Sequence, residues 1–338
     1  MTSRLSASGP PGQQSAGPAS AGVNAPLGGS DPHEVGERGG QHSIIGMVGV
    51  GNMGGAMALR LLSRGWPVQV CDIDPGKTRV LETFGASVHA TPAQAAMNTV
   101  ATIICVVDAD QTDAVLFGPQ GAAAALQPGQ VVLLCPTIAP ADVERFAGRL
   151  AARGIDAVDA PMSGGPARAR DGSMSLMVAC PDAVFERCRP LIESLSNQVL
   201  RISARPGDGA RTKLVNNLLA GINLAGAAEA MALAQRLGLD LARTLDVIER
   251  SSGQSWIGSD RMRRAIAGDY APRAHVTLLH KDTGLALQAG RAAGFTGPLG
   301  TGAHAVFNRA VDAGLAGRDD AVLFQLLSQD LPPAEACP

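Results

Sequence analysis

Short apolar runs alternate with segments of helical periodicity from residue 43 to residue 202 of the 338-residue chain. Continuous apolar runs bounded by turn residues are typical of strands that are buried on both faces. Alternation of such strands with helices favours a parallel, doubly wound sheet. The predicted strands are residues 43–50, 67–72, 100–107, 131–135, 155–158, 173–179 and 198–202, and the clearest helices between them are 141–152 and 182–194.

The stretch from Gly207 to about Leu237 predicts one long helix. It contains no proline after Pro206, and its leucines recur at helical spacing. About thirty residues at 1.5 Å per residue would form a rod of roughly 45 Å, long enough to connect two domains. Lys213 and Asn217 are four residues apart and therefore project from one face. A lysine in the first turns opposes the helix dipole, so it is either a solvated surface residue or a functional one.

After this helix the strand pattern ends, while helical spacing continues at residues 241–250, 260–267, 276–293, 301–313 and 320–327. We therefore predict an α/β fold with a doubly wound Rossmann-type domain over residues 43–206. An all-α domain over residues 207–330 follows and begins with the interdomain helix. Residues 1–42 are rich in Gly, Pro, Ser and Ala and have few bulky apolar side chains, which predicts a disordered tail. Residues 331–338 form a second predicted tail.

Composition narrows the classes of function. The net charge is −2, so we expect no nucleic-acid partner. The chain has no run of about eighteen apolar residues and no apolar secretory leader, so we also expect no membrane association. The six cysteines lack CxxC spacing, and Cys71, Cys105 and Cys135 end strand-like runs. This pattern indicates buried, reduced thiols and a cytoplasmic location.

A glycine-rich turn follows the first predicted strand. Gly49-x-Gly51-x-x-Gly54 opens a helix, and Asp72 ends the next strand eighteen residues after Gly54. The glycines permit a tight turn, close approach to a pyrophosphate and close packing of helix against strand. Asp72 would accept hydrogen bonds from ribose hydroxyls, and Ile73 follows it where an arginine would bind a 2′-phosphate, which favours NAD over NADP. The alternatives are a structural turn and an ordinary strand-end aspartate.

A second glycine pair follows the strand at residues 155–158. The segment Asp159-Ala-Pro-Met-Ser163-Gly164-Gly165 offers one hydroxyl and two free backbone amides. These groups would form a cradle for a carboxylate, although a glycine-rich turn has the same pattern.

Other polar residues carry weaker patterns. Asp282 is expected to cap a helix or to pair locally. Three aspartates near residue 110 are interpreted as part of a solvated loop: Asp108, Asp110 and Asp113. Three histidines lack metal-ligand spacing with acidic residues, so we expect no metal site: His275, His280 and His304.

Four motifs in this order are similar to those of the β-hydroxyacid dehydrogenase family. That family includes 3-hydroxyisobutyrate dehydrogenase and tartronate semialdehyde reductase, and it is related to 6-phosphogluconate dehydrogenase. The resemblance extends over about residues 44–327. The motifs are the glycine turn, the Asp159–Gly165 segment, Gly207-x-Gly-x-x-x-Lys-x-x-Asn-Asn, and Lys281-Asp-x-Gly-Leu285. Further segments resemble the L-threonate dehydrogenase subgroup: Ser255-Trp256, Arg261-Met262 and Gly268-Asp-Tyr-x-Pro272.

The resemblance implies roles for individual residues. Lys213 matches the catalytic lysine, Asn217 matches its partner, and Ser163, Gly164 and Gly165 match the cradle for the substrate carboxylate. Trp256 is expected either to shape the substrate pocket or to pack in the core. The implied cofactor contacts are Gly49, Gly51, Asn52, Met53, Gly54, Asp72, Val106, Val107, Gln111 and Thr137, with Lys281 near both nicotinamide and substrate.

The chain departs from the family pattern at several positions. Pro136 stands where the family usually has serine, and Val107 stands where proline is common. Arg168 and Arg170 follow the cradle, and they are expected either to contact an anionic substrate or to remain solvated.

The implied reaction is reversible hydride transfer between NAD and a small hydroxy acid, such as the sugar acid L-threonate. Lys213 would act as general acid/base, and both its burial and the neighbouring Lys281 would lower its pKa. The alternatives are a 3-hydroxyisobutyrate dehydrogenase, a tartronate or succinic semialdehyde reductase, and an NAD-binding protein without turnover. The family also implies a homodimer or homotetramer that is assembled through the helical domain.

Overall fold

The computed structural model describes residues 37–38 and 41–329. Glu37–Arg38 (β1) and Gln41–His42 (β2) pair antiparallel. These two short strands lie inside the segment for which we predicted disorder, so that prediction is wrong for them. The rest of that prediction, and the predicted tail at residues 331–338, lie outside the described residues.

The α/β half contains residues 45–203, and the helical half begins at residue 208. The strands of the α/β half are Ile45–Val48 (β3), Val68–Cys71 (β4), Ser87–Val88 (β5), Ala101–Ile104 (β6), Val131–Leu134 (β7), Asp156–Asp159 (β8), Met162–Ser163 (β9), Ser175–Ala179 (β10) and Gln198–Ser203 (β11). Its helices are Asn52–Ser63 (α1), Pro75–Glu82 (α2), Pro92–Ala96 (α3), Ala109–Phe117 (α4), Pro140–Ala151 (α5), Gly165–Asp171 (α6) and Asp182–Leu195 (α7). The helices of the helical half are Asp208–Arg236 (α8), Leu241–Glu249 (α9), Trp256–Ile266 (α10), Val276–Ala292 (α11), Pro298–Asp312 (α12) and Leu323–Ser328 (α13).

Among the described residues, the strands from β3 onward form one sheet in the order β11-β10-β8-β7-β6-β3-β4-β5, and β9 pairs with β10. Strand β3 pairs in parallel with β4 on one side and with β6 on the other. The chain therefore leaves β3 in two directions, which creates a crevice at the carboxyl ends of β3 and β6. The predicted doubly wound fold is confirmed. Strand β10 runs antiparallel to β8, so the sheet is mixed at this side.

Both faces of the sheet are buried. Successive residues of β7, such as Val132 and Leu133, belong to separate hydrophobic clusters on the two faces. This explains the continuous apolar runs, because a strand covered by helices on both faces has no polar side. Complete burial of each such side chain contributes roughly 1.5–3 kcal/mol.

Helix α8 joins the two halves. It has 29 residues and is therefore about 44 Å long. Near its first turn, Gly207 and Ala210 donate backbone hydrogen bonds to Asp159 at the end of β8. Further along, Leu224 and Met231 lie in the core of the helical half, which α10, α11 and α12 complete.

Within the described part of the chain, α8 is the one helix that is long and apolar enough to cross a membrane. The sequence analysis predicted no such segment. Lys213 and Asn217 of this helix are buried, and helices and strands of both halves pack against it. Packing in a protein core therefore accounts for its apolar composition.

Some helices were not predicted correctly. Residues 108–113 do not form a loop, because Asp108 caps α4 by accepting a hydrogen bond from the backbone amide of Gln111 at 2.8 Å. The segment after Gly165 is helix α6, whose seven residues are too few to show helical periodicity. Helix α10 begins four residues before the predicted start, since Ser255 caps it.

The five cysteines among the described residues are free thiols, as predicted. Burial raises the pKa of Cys105 and of Cys188 to about 12, so these thiols stay protonated at neutral pH. Cys337 lies outside the described residues.

Candidate active site

The glycine turn between β3 and α1 forms a cradle of free backbone amides. Gly49 has a φ of +88°, and a Cβ at Gly54 would lie 2.0 Å from the carbonyl oxygen of Gly49. Both positions therefore require glycine. A Cβ at Gly51 would have no neighbour within 4 Å, and no side chain caps the helix start. The first-turn amides of Asn52 and Met53 have no acceptor inside the helix, so they are free to bind an anion.

Asp72 follows β4 and supports this cradle. Its Oδ2 accepts a hydrogen bond from the backbone amide of Val50 at 2.7 Å, and its Oδ1 accepts one from Asp74 at 2.9 Å. A carboxylate has about four acceptor sites, so the same side chain can also accept bonds from ribose hydroxyls. Ile73 is fully exposed beside it.

The residues after β6 and β7 line the same edge of the sheet. Gln111 does not project freely, because its Oε1 accepts a hydrogen bond from the amide of Val107 at 3.2 Å and its Nε2 donates to Asp108 at 3.1 Å. It therefore fixes the Val106–Val107 turn. Thr137 follows β7, and its carbonyl oxygen accepts a hydrogen bond from Lys281 of α11. This bond connects the helical half to the cofactor side of the sheet.

The Ser163–Gly165 segment extends from the last residue of β9 to the first residue of α6. Gly164 and Gly165 have φ values of +126° and +78°, and a Cβ at Gly165 would meet open space. The Ser163 hydroxyl forms no hydrogen bond with a described residue. The segment therefore offers unoccupied polar groups, as a carboxylate cradle requires.

Arg168 packs against this segment. A Cβ at Gly164 would lie 2.9 Å from Cδ of Arg168, so the side chain of Arg168 covers Gly164. Its guanidinium forms no ion pair or hydrogen bond with the residues that the structure describes. Arg170 is exposed on another side of the helix.

Lys213 is buried in α8 and has only 7% of its surface exposed. Burial lowers its pKa to about 8, Asp282 opposes this change, and Lys281 adds to it. The amine forms no hydrogen bond or ion pair within the described residues. A buried lysine with a pKa near neutrality is suited to transfer protons.

Asn217 and Asp282 bring α8 and α11 together. Nδ2 of Asn217 donates a hydrogen bond of 2.6 Å to Oδ2 of Asp282, which is 6% exposed. The helices approach closely because residue 221 is glycine; a Cβ there would lie 2.6 Å from Cγ2 of Thr283. The family resemblance makes Asn217 the partner of Lys213; among the described residues, its amide nitrogen donates to Asp282.

Asp282 contacts Lys281 and acts electrostatically on Lys213. Its Oδ1 is 2.8 Å from Nζ of Lys281, and this buried oxygen accepts no hydrogen bond of good geometry from the described residues. We predicted that Asp282 pairs locally, and its contact with the adjacent Lys281 confirms this. The sequence did not predict its contact with Asn217. We call Lys213, Asn217, Lys281 and Asp282 the Lys213 cluster.

Two family models match the chain in succession. Residues 44–203 match the NAD binding domain of 6-phosphogluconate dehydrogenase, and residues 207–327 match the NAD-binding family of NADP-dependent 3-hydroxyisobutyrate dehydrogenase. The L-threonate dehydrogenase of Cupriavidus necator is 39% identical over 282 residues, which are 83% of this chain and 95% of that protein. The chain belongs to the β-hydroxyacid dehydrogenase family.

Other members of this family support the same assignment. The 3-hydroxyisobutyrate dehydrogenase of Pseudomonas aeruginosa is 34% identical over 271 residues, covering 78% of this chain and 91% of that protein. A crystal structure described as 3-hydroxyisobutyrate dehydrogenase from Salmonella typhimurium superposes with a TM-score of 0.79 at 36% identity, covering 84% of this chain and 99% of that one. The chain is thus a nicotinamide-dinucleotide-dependent hydroxy-acid dehydrogenase, as predicted.

The residues present fit such a cofactor. The glycine cradle has free amides and space for a pyrophosphate, and Asp72 stands at the end of the neighbouring strand. The turn at residues 106–107 and the loop at Thr137 follow the next two strands of the same edge. Lys281 hydrogen bonds to the Thr137 loop and is itself part of the Lys213 cluster. The edge of the sheet that fits the cofactor is therefore next to this cluster.

Trp256 is not part of the Lys213 cluster in the described chain. It begins α10 and is 57% exposed, which argues against the core-packing alternative. Its neighbour Gly258 faces Asn223 and Ala227 of α8, about 9–15 Å along the helix axis from Asn217. A role for Trp256 in the substrate pocket stays a prediction.

The described residues contain no cluster of three metal-ligating side chains. His280 and His304 instead stack on each other, with ring centroids 5.1 Å apart. Nε2 of His280 is 2.6 Å from Oδ1 of Asn308, and Nδ1 of His304 is 2.9 Å from the Thr283 hydroxyl. These contacts give the pair a packing role between α11 and α12.

Proposed function

We propose that the protein oxidises a small sugar acid with NAD, and that L-threonate is the first substrate to test. The observation that supports this most is the buried Lys213, whose lowered pKa and free amine suit it to acid–base work. Curated relatives at 34–39% identity are named L-threonate dehydrogenase.

The chain's own residues would position the acid. The Ser163 hydroxyl and the amides of Gly164 and Gly165 would bind the carboxylate, because these polar groups are free. Bound NAD supplies the hydride acceptor. The neutral amine of Lys213 would remove the proton of the reacting hydroxyl, and its ammonium form would return a proton in the reverse reaction.

Asp282 gives a reason to favour a polyhydroxy acid. Asn217, one helical turn from Lys213, and Asp282 are buried polar side chains that hydrogen bond to each other. A second hydroxyl on the substrate would form hydrogen bonds with such groups, whereas the methyl group of 3-hydroxyisobutyrate would form none.

We propose NAD as the preferred cofactor. Asp72 would accept bonds from the ribose hydroxyls and would repel a 2′-phosphate. The nearest basic side chain along the chain is Lys77, which pairs with Asp74 at 3.6 Å. Substitution of Asp72 would also remove the hydrogen bond from the amide of Val50. We therefore expect Asp72→Ser to weaken the binding of both cofactors, with a smaller loss of affinity for NADP than for NAD.

We further propose a cytoplasmic homodimer or homotetramer that is assembled through the helical half. Large apolar side chains are exposed on this half, on α8 and on α12. An assembly that covered them would bury apolar surface that a monomer leaves in water. Examples are Val215, Leu219, Leu233 and Leu299.

The direct test is an absorbance screen at 340 nm of C3–C5 hydroxy acids with NAD and with NADP. We expect the highest kcat/KM for a four-carbon sugar acid with NAD. The alternative outcomes are a higher kcat/KM for 3-hydroxyisobutyrate, or for the reduction of tartronate or succinic semialdehyde. Binding of NAD without turnover of any acid would instead identify a non-catalytic dinucleotide-binding protein.

A further inference from the structure

Asp159 is a buried carboxylate that has no assigned role. It is the last residue of β8 and is 1% exposed. Its Oδ2 accepts hydrogen bonds from the backbone amides of Gly207 at 2.8 Å and of Ala210 at 3.0 Å. These amides belong to the start of α8, where no side chain of the helix itself provides a cap. A strand of the α/β half therefore caps the helix that carries Lys213.

Two glycines make room for this contact. Gly207 has a φ of +99°, which turns the chain into the helix, and a Cβ at Gly209 would lie 2.9 Å from the Asp159 carboxylate. A larger residue at position 209 would displace either the carboxylate or the helix start. Lys213 follows Ala210 by three residues, so its position depends on the capped turn.

The same aspartate begins the segment that contains the cradle. Ser163 follows Asp159 by four residues, and its backbone is held against β10. We propose that Asp159 is a positioning residue, which caps α8 from the end of β8 and thereby fixes Lys213 relative to the Ser163–Gly165 cradle. This inference rests on the proposed function of Lys213.

The cap also has a pH dependence. Burial raises the pKa of Asp159 to about 6, opposed by the backbone amides of Ala210, Gly207 and Gly209. Asp208 on α8 also raises it, and Cys135, the residue after β7, interacts electrostatically with the same carboxylate. Protonation below about pH 6 leaves a neutral carbonyl acceptor, whose hydrogen bonds to the backbone amides are weaker than those of the charged carboxylate.

The reduction direction separates Asp159 from Lys213. Lys213 is already fully protonated at pH 6, so a fall in the reduction rate between pH 7 and pH 5 does not arise from it. We expect wild-type kcat for reduction to fall through an apparent pKa near 6. In Asp159→Asn, kcat should be about 10- to 100-fold lower, because misplacement by about 1 Å costs up to that factor. The kcat of Asp159→Asn should not change between pH 7 and pH 5, and its dissociation constant for NAD should equal that of the wild type.

Asp208→Asn is the matched control, since Asp208 is also acidic and near the helix start but bonds Ser203 and Arg205. Asp208→Asn should retain wild-type kcat and the fall in kcat between pH 7 and pH 5. Gly209→Ala should lower kcat as Asp159→Asn does, but it should keep this fall with pH because the carboxylate remains. This second variant decides the matter if Asp159→Asn does not fold. Wild-type kcat in folded Asp159→Asn or in folded Gly209→Ala would overturn the proposal.

Amide hydrogen exchange tests the cap without any turnover. Residues 207–214 should exchange faster in Asp159→Asn than in the wild type, while α11 and α12 should be unchanged. If the wild type oxidises no hydroxy acid, the proposed function fails, and exchange still reports on the cap. Unchanged exchange at residues 207–214 would show that Asp159 does not hold the helix.

Discussion

The helical half contains two buried groups of charges that differ in pairing. In the first, which we call the paired cluster, Arg261 lies 2.6 Å from Asp320 and Arg264 lies 3.0 Å from Asp319. The Lys213 cluster has two lysines and a single carboxylate, and Asp282 pairs with Lys281 at 2.8 Å. Lys213 forms no ion pair with a residue that the structure describes.

This difference separates stability from chemistry. Each carboxylate of the paired cluster faces a guanidinium, whose charge does not change at any accessible pH. The Lys213 cluster has a surplus cation, and burial shifts the pKa of Lys213 to about 8, where its charge can change during a reaction. Burial alone therefore does not distinguish the two clusters, whereas incomplete pairing of the charges does.

The largest expected effect is on turnover in Lys213→Met. We expect kcat to fall by about 10²–10⁴-fold, the usual contribution of general acid–base catalysis, with an unchanged dissociation constant for NAD. Stopped-flow measurement of NADH formation and a binding titration would check this. Substantial turnover in the folded variant would show that Lys213 is not the acid–base group.

The same variant should not lose stability. The folded-state pKa of Lys213 lies below its ordinary value of 10.5, so the wild type gains stability as pH rises from about 8 towards 10.5. Lys213→Met should remove that gain, which urea unfolding at several pH values would detect.

Asp320→Ala should have the opposite consequences. It removes the buried partner of Arg261 and leaves the guanidinium with Asp260, so we expect a loss of about 1.5–3 kcal/mol of unfolding free energy, the contribution of a hydrogen bond to a charged group. The enzyme that remains folded should keep its kcat. Glu193→Ala, which removes an exposed partner of Arg189, is the control and should leave the urea midpoint unchanged. A loss of kcat with full stability in Asp320→Ala would break the comparison.

Arg168 extends the comparison to a cation at the cradle that pairs with none of the described residues. We expect Arg168→Ala to raise KM for the acid about tenfold, since a hydrogen bond to a charged group contributes about 1.5–3 kcal/mol. Arg170→Ala, on the exposed side of α6, should change nothing. Equal effects of the two substitutions on KM would indicate general electrostatic attraction and no specific contact.

The parts of the site that the sequence predicted are those set by local periodicity. Strand, glycine turn and helix follow one another along the chain, and Lys213 and Asn217 share a face because they are four residues apart. Asp108 had a usable signal as well, since an Asp followed three residues later by Gln resembles a capping box. We interpreted that aspartate as part of a loop.

The contacts that the sequence did not predict join distant segments. Asp282 meets Asn217 across 65 residues, and that meeting depends on the absence of a side chain at Gly221. Asp159 caps α8 across 48 residues, through a carboxylate that the motif places next to the cradle. Neither contact can be predicted from periodicity along the chain, because both form only when distant segments pack together.

The pH dependence of hydroxy-acid oxidation tests the central claim most directly. A general base must be neutral, so kcat/KM should rise with pH to a plateau through an apparent pKa of about 8, while kcat for reduction should fall above it. Lys213→Met should lose this ionisation together with its turnover. A wild-type profile that rises only near pH 10.5, or the same profile in Lys213→Met, would contradict the assignment of Lys213.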